Sequence, residues 1–407
     1  MKKDIFTTAD ILLPNAAALE KWSVIACDQF SSEPDYWERI RSYVGDMPST
    51  LNMIIPEAFL NKMDLEREAK KISAATEGYA ERGILRKVEN SFIYVVRGLP
   101  DGRRRYGLVG AVDLDEYDFS GGKAAVLASE GTVLDRLPAR IRVRRAVRYE
   151  LPHIMAFIDD KEKTVIEPLT QKADSFPPLY DFDLMEGGGH IRGMRVSGGE
   201  VDRIAAAMRS LHEKSETLIV VGDGNHSLAA AKVIWDELKH SLTSAERKTH
   251  PAGKALLEIC NVYDPAIDFE AIHRVIFDVD PAGFIGALAE AMPGGRDYEL
   301  LWVSRRQSGA IGVSAACIGD MLTALQKFTD EYIISTGCRV DYIHGEDTVL
   351  RLAQGDRCLG LILPAMEKSE LFGTVANKGP FPKKSFSVGH ARDKRYYLEC
   401  REIIDNK

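Results

Sequence analysis

The sequence predicts a soluble mixed α/β (α+β) protein with a mixed sheet and more than one domain. A chain of 407 residues is long enough for two or three domains around a sizeable buried core. Hydrophobic residues make up 45% and charged residues 28%, an ordinary globular composition. Segments of strand character alternate with helical ones in both the first and the last third, as expected when sheet and helices pack together.

In chain order, Leu60 to Arg82 has helical spacing with mixed charge, and Asn90 to Arg97 (N-S-F-I-Y-V-V-R) reads as a strand. Arg105 to Asp113 reads as its hairpin partner. The intervening Gly98-Leu99-Pro100-Asp101-Gly102 has turn chemistry, since Pro fixes φ and Asp-Gly tolerates positive φ. Gly121-Gly122 marks a boundary. An arginine-rich helix follows, with Arg136, Arg140, Arg142, Arg144, Arg145 and Arg148; Arg140, Arg144 and Arg148 share one face by i, i+4 spacing. Such a run is read either as a solvated face or as a positive rim that attracts an anionic substrate. Leu151 to Ile158 is a strand, and residues 174 to 199, with Pro177-Pro178 and Gly187-Gly188-Gly189-His190, read as one long loop. Glu200 to Lys214 is a helix with Ile204, Met208 and Leu211 on one stripe. Thr217 to Val221 is a buried strand, Ser227 to Leu238 a helix. Strands near Tyr298 to Val303, Gly309 to Ala315 and Cys358 to Leu363 alternate with helices near Ile318 to Thr329 and Asp347 to Leu352. The expected domains are 1–122, 123–280 and 281–407.

Composition excludes several function classes. No stretch approaches the roughly 20 apolar residues of a membrane span, and Met1-Lys2-Lys3-Asp4-Ile5-Phe6 lacks the apolar region of a secretory signal. Six scattered cysteines without a Cys-x-x-Cys pair argue against a disulfide scaffold or zinc ribbon and fit a reducing cytoplasm. A net charge of −8 disfavours broad nucleic-acid binding. No nucleic acid and no membrane are expected as partners; the oligomeric state is open.

One segment concentrates chemistry. Strand, then Gly222-Asp223-Gly224-Asn225-His226-Ser227, then helix, is the arrangement of an anion site. The first helical N–H groups lack intrahelical partners, and the helix dipole adds partial positive charge there. Gly224 permits close approach of a phosphate, Ser227 can cap the helix or donate to a phosphate oxygen, and His226 is a donor, an acid or a ligand. Asp223 can bind Mg²⁺ or accept a proton. The alternative is a structural turn in which Asp223 caps and His226 packs. The segment lacks the third glycine of a dinucleotide fingerprint, and the chain has no Walker-type cradle. Glu130, His190, His273-Arg274 and Pro382-Lys383-Lys384-Ser385 are further candidates, each with an ordinary structural reading taken alone.

The order of these pieces resembles a family catalogued as a domain of unknown function (number 1015). The counterparts here are Ser129-Glu130-Gly131-Thr132, the Arg140 helix, His190, Asp223-Gly224-Asn225-His226-Ser227, His273-Arg274 and Pro382-Lys383-Lys384-Ser385. The glutamate followed by Asp-Gly-x-His also resembles free-serine kinases of the ParB/sulfiredoxin-like superfamily. That resemblance implies a central ParB/sulfiredoxin-like kinase core and transfer of a phosphoryl group to a hydroxyl, first of all that of free L-serine, from pyrophosphate or a nucleotide. It implies Glu130, Asp223 and His226 as catalytic residues and Asp223 as the Mg²⁺ ligand. Gly224, Asn225, Ser227, His190, His273, Arg274, Lys383, Lys384 and Ser385 would then bind phosphate. Asn225 and Ser227 stand where the kinases have His and Arg, and Ser129 where a His precedes the glutamate. The alternative expectation is a ParB-like nucleotide- or phosphate-binding switch without kinase activity.

Overall fold

The computed structural model describes residues 3–15, 18–132 and 137–404. Arg136 of the arginine run lies outside the described residues. The chain forms two compact units, one within Met1–Ala128, Thr132–Ile267 and His390–Lys407, the other comprising Ser129–Gly131 and Asp268–Gly389.

The first unit is built on a mixed sheet of eleven strands among the described residues. Its main path runs Tyr117–Asp118, Val126–Ala128, Ile219–Asp223, Met155–Ile158, Lys254–Asn261, Arg104–Asp113, Leu85–Gly98, His190–Val196 and Pro178–Asp183. The expected hairpin is its centre: Leu85–Gly98 pairs antiparallel with Arg104–Asp113, with Ile93 opposite Val109. Side chains on a strand alternate between faces, and here both faces are buried. Phe92, Tyr94, Leu108 and Leu257 join one apolar cluster, with helix residues Ile204, Met208 and Leu228. Ile93, Val95, Val109 and Leu256 join another, with Trp22 and Trp37. A sheet covered on both sides explains why these strands read as near-continuous apolar runs.

The stretch 174–199, expected as one long loop, instead holds an antiparallel pair, Pro178–Asp183 with His190–Val196. Its glycine cluster turns, with Gly187 and Gly189 at positive φ. Gly193 lies inside a strand because a Cβ there would stand 2.1 Å from the Tyr180 ring. A glycine needed for packing carries no strand signal, and that is why the pair was illegible.

The arginine-rich helix spans Leu137–Ala146. Arg140 pairs with Glu57, Arg144 with Glu150 at 2.5 Å and Arg148 with Glu402 at 2.6 Å. Arg148 lies beyond the helix end, so only Arg140 and Arg144 share its face, and both are ion-paired within the first unit, which neither sequence expectation anticipated. The described cysteines carry no disulfide, and no described helix is long and apolar enough to cross a membrane.

The second unit has a six-stranded sheet ordered Ser308–Val313, Gly294–Val303, Cys358–Ile362, Phe269–Phe277 and Arg339–His344, with Phe386–Val388 beside Phe269–Phe277. Ile318–Thr336, Glu346–Leu352 and Glu370–Lys378 are its expected or added helices. Its apolar interior includes Val275, Ile343 and Val349.

Candidate functional site

The Asp223 turn has the strand-to-helix form its residues predict. The strand Ile219–Asp223 ends at Asp223, Gly224 takes φ +80, and the helix runs Asn225–Leu238. Two constraints meet at Gly224: its left-handed conformation, and Ile154 Cα 2.9 Å from where a Cβ would stand. Asp223 Oδ1 accepts the Gly224 N–H at 2.9 Å, and Oδ2 pairs with Lys394 Nζ at 3.2 Å. Asn225 is buried, while His226 and Ser227 stay half-buried at the first helical turn. The turn thus presents a helix N-terminus beside a carboxylate–ammonium pair. Lys394 was missed in the sequence because it lies in a stretch without periodicity, far from Asp223 along the chain.

Around this turn the first unit places further ionisable groups. Burial alone would raise the Asp28 carboxyl, but His153 and Arg140 beside it prevail and hold it below the usual carboxylate range. His190 is not brought to the turn. Its strand lies five positions from Ile219–Asp223 in the sheet, about 24 Å at ~4.8 Å per strand. There its Nδ1 meets Asp183 at 2.7 Å and its Nε2 meets Asp181 at 2.6 Å.

In the second unit Glu130 and the Pro382–Ser385 loop do come together. The short segment Ser129–Gly131 bridges to Phe381 in parallel, the Phe381 N–H donating to Ser129 and the Gly131 N–H to Phe381. Lys384 takes φ +61, an uncommon conformation for a residue with a Cβ. That kink turns successive N–H groups toward one point, the geometry of an anion nest. The anion is Glu130: its Oε1 accepts the Ser385 N–H at 3.2 Å, and the N–H groups of Phe386 and Lys384 also face it. The Ser385 hydroxyl donates to the Pro382 carbonyl at 2.6 Å, while the Lys383 and Lys384 side chains are exposed. Burial pushes the Glu130 carboxyl up to about 6 against the opposing pull of these N–H groups.

His273 and Arg274 are neighbours on Phe269–Phe277 and so point to opposite faces. His273 Nδ1 accepts the Leu363 N–H at 3.1 Å, and burial lowers its pKa, which keeps the ring neutral near pH 7. Arg274 faces Glu130 electrostatically; its guanidinium lies 4.5 Å from the Tyr342 ring centre, and burial lowers it to about 10, so it stays cationic.

Among the described residues, no cluster of three or more His, Cys, Asp or Glu side chains could hold a metal ion. Asp223 is a single carboxylate already paired with Lys394, a donor set that does not fit a protein-built Mg²⁺ site.

A family described as "Protein of unknown function (DUF1015)" matches residues 9–402. The chain belongs to that family. Its fold is the mixed α/β architecture described above. No curated protein matches. Among solved structures, the chain is distantly similar to a free serine kinase in complex with AMP, at 11% identity over 71% of this chain and 90% of that one, with a TM-score of 0.40. It is similar to SbnI with a C-terminal truncation from Staphylococcus aureus, at 8% identity over 69% and 82%, TM-score 0.38. A conserved hypothetical protein from Pyrococcus furiosus stands at 11% identity over 70% and 92%, TM-score 0.36.

Proposed function

We propose that this protein is a small-molecule phosphotransferase, moving a phosphoryl group onto a hydroxyl acceptor, with free L-serine the first acceptor to test and pyrophosphate or a nucleotide as donor. The observation that carries the reading is Glu130: a half-buried carboxyl with a pKa near 6, oriented by the Lys384–Phe386 amides and facing the cation of Arg274. A general base works best when its pKa lies near the operating pH, and a carboxyl near 6 is ionised in the cell yet basic enough to take a hydroxyl proton.

In this reading Glu130 accepts the acceptor's proton and Arg274 stabilises the carboxylate before transfer. Separately, within the first unit, the N–H groups at the start of Asn225–Leu238, with His226 and Lys394, form a site for phosphate oxygens. Phosphoryl transfer rests chiefly on such positioning and charge neutralisation. Ser385 and Lys384 act on Glu130 through their backbone and are positioning residues. Mg²⁺ enters only as the usual companion of a polyphosphate donor; no step is assigned to it.

The test is a donor-by-acceptor screen on the purified protein. Pyrophosphate, ADP and ATP are offered against L-serine and a panel of small alcohols, with products read by mass spectrometry. A phosphorylated acceptor supports the reading and names the pair. Binding of pyrophosphate or nucleotide with no phosphorylated acceptor from any pair replaces it with a ParB-like binding switch.

A further inference from the structure

The first unit contains a cavity of about 140 Å³ with Met53, Ile55, Leu60, Val143 and Val147 among its apolar walls. Ser227 and Ala230, from the first turns of the Asn225–Leu238 helix, also line it. That volume is close to the roughly 150 Å³ that accommodates one benzene molecule.

One polar group in the cavity lacks a partner. His153 lines it, is 3% exposed, and its Nε2 makes no hydrogen bond. Its Nδ1 lies 2.9 Å from Tyr397 Oη. That hydroxyl oxygen also accepts the Cys27 N–H at 3.3 Å, so Nδ1 is already engaged and Nε2 is the ring nitrogen left for a ligand. A buried polar nitrogen left without a partner carries a desolvation penalty that a bound polar atom removes.

The charges at the rim decide the ligand's character. Arg140 is paired with Glu57, and Arg144 with Glu150. Both guanidiniums are thus neutralised, so an anionic ligand finds no uncompensated cation there and would lose its hydration on entry.

We propose that this cavity is a binding site for a neutral ligand with a benzene-sized apolar body and one hydrogen-bonding polar atom, such as a phenol or small aromatic alcohol, held by His153 Nε2. The site goes beyond the phosphotransferase reading, and free serine, with no apolar body, is not its ligand.

The experiment is titration calorimetry of the full chain, without any phosphate donor, using phenol, toluene and benzoate. Phenol binds about tenfold tighter than toluene, the value of one net hydrogen bond, and benzoate binds more weakly than phenol. In His153→Phe the advantage of phenol over toluene vanishes; in Val143→Phe, which fills the cavity, both lose at least tenfold. No binding of phenol or toluene by the wild type, or phenol no tighter than toluene, overturns the proposal even where a variant fails to fold. Benzoate binding best also overturns it. Because no donor is present, these outcomes are independent of phosphoryl transfer.

Discussion

At the scale of single residues, the candidate chemistry depends on backbone amides that orient carboxylates. Glu130 sits on three N–H groups that Lys384's left-handed conformation gathers, and Asp223 takes the Gly224 N–H and the Lys394 ammonium. Lys394→Met removes the cation beside Asp223 and leaves the carboxylate to repel an incoming phosphate. Pyrophosphate affinity, measured by calorimetry, should fall tenfold or more, since a charge-assisted contact is worth roughly 1.5–3 kcal/mol. Unchanged affinity would remove Lys394 from the anion site. The Asp-Gly-x-His run was legible because strand, glycine and helix cap are local signals. Lys394 was not, because its role depends on the chain returning to Asp223 after the second unit has been built.

At the scale of elements, the strand–turn–helix carrying Asp223 is pinned by one glycine. Gly224→Ala forces a Cβ into φ +80 and against Ile154, and strain of this kind costs about 1–3 kcal/mol. A lowered melting temperature, with loss of phosphate binding, is the expected result; a variant as stable as wild type would mean the turn relaxes freely. Elements with a clear period were predicted from sequence: the Gly199–Lys214 helix, the Leu85–Gly98 and Arg104–Asp113 hairpin, and the Asn225–Leu238 helix. The Pro178–Asp183 and His190–Val196 pair was hidden by its prolines and glycines. These mark turns by local propensity, whereas Gly193 is fixed by the distant requirement to admit Tyr180.

At the scale of the whole molecule, the first unit is held by buried ion pairs that composition cannot reveal. Arg395 bridges Glu258 and Glu399, each at 2.7 Å, and Arg401 meets Glu150 at 2.6 Å. Arg395→Met removes the guanidinium that bridges two buried carboxylates, and breaking a buried pair costs roughly 3–5 kcal/mol; a fall of that size in urea unfolding free energy is expected. Burial would raise Glu150 and Glu258, but Arg401 and Arg395 hold both below the ordinary glutamate value of 4.5. Their stabilisation is therefore complete above that value and is lost as pH falls through the lower folded values. Glu130 has the opposite sign, its raised pKa favouring the folded state more at acid pH than near neutrality.

The central claim is that Glu130 is the base of a phosphoryl transfer, and the most direct measurement is the single-turnover transfer rate of wild type and Glu130→Gln between about pH 4.5 and 8. The expected wild-type rate climbs through about pH 6 to a plateau, and the variant rate is flat and lower by roughly a hundred- to ten-thousand-fold. A variant that transfers phosphate at the wild-type rate across that range would contradict it.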